Sequence, residues 1–177
     1  MVRSLVRPLA LSNLALPALP LLVAALLATV ITGCASPPFE TGEARRDPAP
    51  AAVTEGDVGE TFLWGGLILG IDNREDGTTV LEILALPLDD SGRPMTRGAE
   101  PGGRFLAVST EFRDPAEYRA GRQVLALGDL TGFEEGRIGE ATYRYPKLAV
   151  EALHLWRDDG RSPGSSWHFG IGLGIGL

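Results

Sequence analysis

From residue 61 to residue 156 the chain alternates between short apolar runs and clusters of turn-forming residues. Runs of this length that are rich in β-branched and aromatic residues predict strands, and Asp76-Gly77 between the first two runs predicts a hairpin turn. Glycines inside the first run are typical of a strongly bent strand. A further turn is predicted at residues 132–136. The predicted strands cover residues 62–71, 79–88, 104–111, 122–130 and 147–156.

One short helix is predicted between the third and fourth strands. Asp114 is a typical N-cap residue, Pro115 suits the first helical position, and Gly121 would end the helix. Three strands, a helix and two more strands is the element order of an OB-like barrel. The sequence therefore predicts an all-β domain with one short helix over residues 61–160, folded as an OB-like barrel of five to six strands.

The Gly-rich apolar tail, residues 161–177, ends in a strict alternation of large apolar residues with glycine and histidine from Trp167 to Leu177. Such alternation is strand periodicity with one smooth apolar face. We expect an extra strand or a strap that covers the barrel, because a bare strip of this kind favours aggregation. A strip that contacts a membrane or a partner is the alternative.

The first 33 residues have the layout of a secretory signal peptide, with Arg3 and Arg7 before an apolar run. The run ends in Ile31-Thr32-Gly33-Cys34, which resembles the lipobox of bacterial lipoproteins. The resemblance implies recognition and cleavage at Ile31, Thr32 and Gly33 and acylation of Cys34. Ala35 after the cysteine favours the outer membrane by the sorting rule for such lipoproteins. A retained membrane anchor is the alternative to cleavage.

Residues 34–60 are rich in proline and charge and contain hardly any large apolar residue besides Phe39. A segment of this composition buries too little apolar surface to offset its ordering entropy, so we predict a lipidated, disordered tether.

Charge and residue inventory exclude several functions. The chain carries a net charge of −7, which becomes −9 for residues 34–177 because the leader contains two arginines and no acidic residue. Such a balance opposes nucleic-acid binding, which depends on neutralising phosphates. The residues at 72–77 match a calcium loop only in part, and His154 and His168 lack further ligands at metal-like spacing. We therefore expect no metal, no cofactor and no catalytic residue.

One candidate binding surface remains. Tyr143, Arg144 and Tyr145 combine aromatic rings with a planar guanidinium just before the predicted fifth strand, where OB barrels present ligand-binding surfaces. An anionic or glycan-like ligand would fit these groups. The alternative is that one tyrosine packs inward and Pro146 ends a hairpin.

A series of short motifs runs through residues 62–156: Trp64-Gly65-Gly66, Leu86-Pro87-Leu88-Asp89 with Ser91-Gly92-Arg93-Pro94, Gly103-Arg104-Phe105-Leu106-Ala107, Asp114-Pro115 with Tyr118 and Gly121, Leu130-Thr131-Gly132, Gly136-Arg137-Ile138-Gly139-Glu140, Tyr143-Arg144-Tyr145-Pro146 and His154-Leu155-Trp156. Together these motifs resemble the Slp family of Gram-negative outer-membrane lipoproteins. The resemblance implies a lipid-anchored outer-membrane protein associated with starvation or stationary phase, and it implies no catalytic residues. We expect the domain to face the periplasm. We expect it to act by binding an envelope protein or glycan, or as a structural component. A periplasmic enzyme or accessory subunit is the alternative.

Overall fold

The computed structural model describes residues 36–157. The predictions for the leader, for Cys34 and for the tail at residues 161–177 therefore lie outside the described residues.

The described residues form five strands: β1 Thr61–Asn73, β2 Thr79–Ala85, β3 Arg104–Ser109, β4 Gln123–Ile138 and β5 Ala141–Leu155. They close into a barrel in the order β1-β2-β3-β5-β4, in which β4 pairs with β1. Every neighbouring pair is antiparallel except β3 and β5, which are parallel. This arrangement confirms the predicted all-β, OB-like barrel.

Aromatic side chains fill one end of the barrel interior. The rings of Phe62 and Trp64 stack with centroids 4.5 Å apart, and Phe105 meets Trp64 edge-on at 5.3 Å. The Trp64 indole donates a hydrogen bond to the Pro48 carbonyl at 3.2 Å, which satisfies its one polar group. Alternate residues of the other strands complete the same core, including Leu81, Ile83, Val124, Leu130 and Leu148.

The first strand is apolar on both faces because both faces are covered. Leu63 points away from the interior and packs with Leu125 and Leu127 of β4, and Phe39 and Ala44 lie against these three leucines. A strand buried on both sides has a continuous apolar sequence instead of an alternating one. This explains why the run at residues 62–71 shows no simple period of two.

The described part of the predicted tether, residues 36–60, is packed on the barrel instead of extending from it. Arg45 forms a parallel bridge with Phe62, in which its N–H donates to the Thr61 carbonyl at 2.9 Å and its carbonyl accepts from the Leu63 N–H at 2.8 Å. Val53 is buried in the core. Two 3₁₀ turns flank Val53, at Pro50–Ala52 and at Glu55–Asp57. The composition of the segment does not reveal that it is ordered, because backbone hydrogen bonds, which any sequence can form, hold much of it in place.

The predicted helix at residues 114–121 is a turn. Asp114 caps it as expected, because its side chain accepts the Ala116 N–H at 2.8 Å and its carbonyl accepts the Tyr118 N–H at 2.9 Å. The chain then leaves this path, and Gly121 donates its N–H to the Ile68 carbonyl at 2.8 Å. A single turn of helix gains little for its ordering cost, whereas burying Tyr118 in the core and pairing with β1 gains more.

The predicted turn at residues 132–136 is also part of a strand. β4 continues through it to Ile138, and the chain reverses at Gly139-Glu140, where Gly139 has a φ of +61°. Gly132 (φ +136°) marks an irregularity in the pairing of β4 with β5, so this glycine bends the strand without ending it. As a result, residues 143–146 lie within β5 and not before it.

Candidate binding groove

The three residues of the predicted binding surface point to two different faces of β5. Neighbouring residues on a strand alternate in direction, so Tyr143 and Tyr145 share one face and Arg144 lies on the other. Tyr145 belongs to a small apolar cluster with Val80 and Leu106 on the outer surface of the barrel. The structure therefore does not bring the guanidinium of Arg144 beside the two phenol rings.

The two tyrosines are linked to the barrel through their hydroxyl groups. Their rings meet edge-to-face with centroids 4.7 Å apart. The Tyr143 oxygen accepts the backbone N–H of Arg104 at 2.9 Å, and the Tyr145 hydroxyl donates to the Glu82 carboxylate at 3.1 Å. Burial and the neighbouring Glu82 carboxylate raise the pKa of Tyr145, so its hydroxyl remains a hydrogen-bond donor at neutral pH.

Arg144 is engaged elsewhere. Its guanidinium carbon lies 3.4 Å from the centre of the Phe133 ring, and the same group forms an ion pair with Glu55 in the N-terminal segment. These contacts use the planar face and the charge that an anionic ligand would need.

A groove lies beside Tyr145 on the outer surface of the barrel. Its volume is about 320 Å³. One wall is formed by the end of β1 and the start of β2, and the other by the outer half of the β4–β5 hairpin. In OB folds, ligands bind against strands two and three between the β1–β2 and β4–β5 loops. The groove occupies the corresponding position. Its charged and aromatic lining consists of Asp72, Arg74, Glu82, Glu134, Glu135, Arg137 and Tyr145.

The groove lining is organised by ion pairs. Arg74 bridges its two walls because its guanidinium lies 3.4 Å from Asp72 on β1 and 3.3 Å from Glu134 on β4. Glu82 accepts from Arg104 at 2.8 Å with the same oxygen that accepts from Tyr145. The lining thus combines four carboxylates with two guanidiniums.

Sequence reasoning found only Tyr145 among the groove residues. Glu82 carried a readable signal, because it is the one charged residue in the apolar strand Thr79–Ala85. Arg74 and Glu134 are 60 residues apart in the chain and carried none. Only closure of the barrel brings them together.

Two other hollows lie on the barrel. One of about 320 Å³ lies between residues 46–50 and the end of β2, with Trp64 in its wall. The other, of about 570 Å³, is lined by the carboxylates of Glu40, Glu43, Glu60 and Glu151. No histidine or cysteine lines either hollow, and the charged residues that line the larger one are all acidic.

Between residues 36 and 157, no three His, Cys, Asp or Glu side chains are placed to hold a metal ion. Burial lowers the pKa of His154, whose ring packs edge-on against Trp156 at 4.6 Å. This is a packed histidine. No helix within the same residues is long and apolar enough to cross a membrane.

A closed barrel with this strand order defines a small OB-type domain. The chain belongs to the outer membrane lipoprotein Slp family, whose model matches residues 31–170. It is therefore an outer-membrane lipoprotein, and the family's description names no catalytic activity.

Two curated proteins are similar to it. The "Uncharacterized lipoprotein YeaY" of Escherichia coli (strain K12) is 35% identical over 99 residues, which cover 56% of this chain and 50% of YeaY. The match thus spans about half the length of that relative. An "Uncharacterized protein" of Haemophilus influenzae is 28% identical over 133 residues, covering 71% of this chain and 70% of that protein.

Among solved structures, a small single-stranded DNA-binding protein from Streptomyces coelicolor matches with a TM-score of 0.35 at 10% identity. The match covers 55% of this chain and 94% of that one. At this TM-score, no conclusion about ligand or function rests on the likeness.

Proposed function

We propose that this protein is anchored to the outer membrane by acyl chains on Cys34 and that its barrel binds a glycan-like ligand in the groove beside Tyr145. The groove itself is the observation that carries the proposal, because it lies where OB barrels bind ligands. On this proposal the barrel faces the periplasm and acts by binding, without a catalytic step.

The chemistry of the lining favours sugar hydroxyls over other ligands. A hydroxyl donates and accepts at once, so it can bridge a carboxylate such as Glu82 and a guanidinium such as Arg74. Four carboxylates against two guanidiniums in the lining repel a polyanion. An anionic ligand, which the sequence also allowed, is disfavoured because Arg144 is held by Glu55 and Phe133.

Titration of the full lipoprotein in detergent with a neutral oligosaccharide, N,N′-diacetylchitobiose, tests the groove. We expect Arg74→Ala to weaken binding by about tenfold, since one charge-assisted hydrogen bond is worth roughly 1.5 kcal/mol. Glu75→Gln is the matched control, because Glu75 is exposed in the adjacent β1–β2 turn and does not line the groove. Equal losses in both variants, or no binding by the wild type, would contradict the proposal.

Support for the anchor comes from the family and from the cysteine count. A lipoprotein acylated on cysteine must use Cys34 here, because the chain contains one cysteine. Two or more acyl chains give stable membrane attachment. We expect Cys34→Ser to move the protein from the outer-membrane fraction to the soluble fraction or to leave it unprocessed. A variant that still fractionates with the outer membrane in processed form would contradict the anchor.

We also propose that the protein is produced mainly in starvation or stationary phase, as the family resemblance suggests. Its abundance should rise severalfold on entry into stationary phase, measured by quantitative immunoblotting against a constitutive lipoprotein. Constant abundance through growth would contradict this part of the proposal.

A further inference from the structure

The N-terminal segment leaves very little free chain between the lipid attachment site and the folded barrel. Pro37 already packs at the barrel surface, since a Cβ built on Gly92 would lie 3.7 Å from the Pro37 side chain. Phe39 packs on the outer leucines of β1 and β4. Only two residues separate Cys34 from Pro37.

Covalent geometry turns this into a distance limit. Three residue steps span at most about 11 Å, so the Cα atom of Cys34 can lie no farther than that from Pro37. A disordered coil over residues 35–60 would instead have an end-to-end distance of about 30 Å. The difference between these two reaches, about 11 Å and about 30 Å, exceeds the depth of a lipid headgroup layer, which is about 5–7 Å per leaflet.

The surface next to Pro37 is the loop at residues 88–97, which is itself well ordered. A bridge between Leu88 and Pro94 closes it, and Asp89 accepts the backbone N–H groups of Ser91 and Arg93, each at 2.9 Å. Arg46 of the N-terminal segment donates to the Asp89 carbonyl at 3.1 Å and so ties the segment to this loop.

The composition of this loop suits a phospholipid surface. Two aspartates and two arginines balance within residues 88–97, although the whole chain carries a net charge of −7. The loop therefore avoids the repulsion that anionic headgroups exert on the rest of the chain. Met95 is 46% exposed and offers an apolar contact at the same place.

We propose that the barrel is held directly against the membrane, with the 88–97 loop at the phospholipid headgroups, by a leash of two residues. This inference rests on the proposed acylation of Cys34. The N-terminal segment acts as a structural clamp that fixes which side of the barrel faces the bilayer, and the occupant of that side is the lipid surface that carries the acyl chains.

Site-specific quenching in vesicles tests this orientation. The full lipidated protein is reconstituted into phosphatidylethanolamine–phosphatidylglycerol vesicles that contain a headgroup nitroxide lipid. A fluorophore is placed at Asp90→Cys in the loop or at Glu75→Cys in the β1–β2 turn, both exposed positions. Acylated Cys34 has no free thiol, so only the introduced cysteine reacts.

We expect quenching at position 90 to be at least about threefold stronger than at position 75. The reason is that the β1–β2 turn lies up to about 25 Å farther from the membrane than the 88–97 loop, measured along β1. Inserting twenty Gly/Ser residues after Ala35 should reduce quenching at position 90 to the level at position 75, because the leash then reaches about 25 Å. Equal quenching at the two positions, or unchanged quenching after the insertion, would overturn the inference.

Flotation of the same vesicles separates this inference from the anchor. If the wild type floats with the vesicles and quenching is equal at both positions, the anchor stands and the orientation fails. If the wild type does not float, acylation of Cys34 fails and the orientation falls with it.

Discussion

The barrel wall and the N-terminal segment that lies on it become ordered in different ways. The wall buries large side chains on a continuous interior, and Phe62, Phe105 and Leu81 are fully buried there. Residues 36–60 bury few side chains, and most of the segment from Thr54 to Glu60 is exposed. The segment is placed by backbone pairing with β1, by Phe39 on an existing leucine surface, and by Val53 in the barrel end.

This difference shows that order in a segment of low hydrophobicity depends on the surface available to it. The ordering entropy of such a segment exceeds what its own side chains gain. On the barrel, the exposed N–H and C=O groups of β1 and the three outer leucines supply the missing free energy. We therefore expect the barrel to stay folded when contacts of the segment are removed. We expect the segment to lose its order when the barrel is destabilised.

The largest effect should follow from crowding the wall where two strands touch. A Cβ on Gly66 would lie 1.8 Å from the Leu84 carbonyl oxygen, whereas a Cβ on Gly70 of the same strand has no atom within 4 Å. Gly66→Val should cost at least about 3 kcal/mol of unfolding free energy or prevent folding, and Gly70→Val should change it by less than about 1 kcal/mol. Urea unfolding followed by tryptophan fluorescence measures both, and similar midpoints for the two variants would refute the close approach.

A smaller and more local effect is expected from removing the apolar contact of the segment. Phe39→Ala should lower the unfolding free energy by about 1–2 kcal/mol, since this phenylalanine is only partly buried. Trypsin cleavage at Arg45 and Arg46 should accelerate severalfold, because the neighbouring chain is released. Phe112→Ala is the control, as Phe112 is 71% exposed. If both variants are cleaved at the same rate as the wild type, Phe39 does not hold the segment.

The smallest effect concerns a hydroxyl at the groove. Tyr145→Phe removes the hydrogen bond to Glu82 and should cost about 1 kcal/mol at pH 8. The pKa of Tyr145 is raised by burial and by Glu82, so the folded state retains this proton above about pH 10, where the unfolded chain releases it.

The stabilisation by this hydroxyl is therefore complete below about pH 10 and is lost as the pH rises above it. The gap in unfolding free energy between wild type and variant should be constant from pH 6 to about pH 9 and narrow by pH 11. If the gap stays constant to pH 11, the pKa of Tyr145 is the same in the folded and the unfolded state, and the expectation is wrong.

Much of the barrel could be predicted, because apolar periodicity and turn residues act over short distances. The hairpin at Asp76-Gly77 is an example, since the Asp76 carboxylate accepts both the N–H and the hydroxyl of Thr78. The prediction of a turn at residues 132–136 was wrong, because glycines and charged residues occur both in turns and in bent strands. Pairing with β5 decides between the two.

The groove could not be predicted, because its lining comes from all five strands, which the chain visits at distant points. Arg74 and Glu134 meet only after β4 and β5 have closed the barrel. The predicted surface at Tyr143, Arg144 and Tyr145 is divided between two faces because these residues lie inside β5, where neighbouring side chains point in opposite directions.

The sequence by itself determined the β class, the order of the strands and the family, because each depends on local pattern. Tertiary structure alone decided that residues 36–60 lie on the barrel and that Glu82, Arg74 and Tyr145 share one groove. The physical reason is that these features depend on which surfaces the closed barrel leaves available. A chain segment cannot carry that information in its own composition.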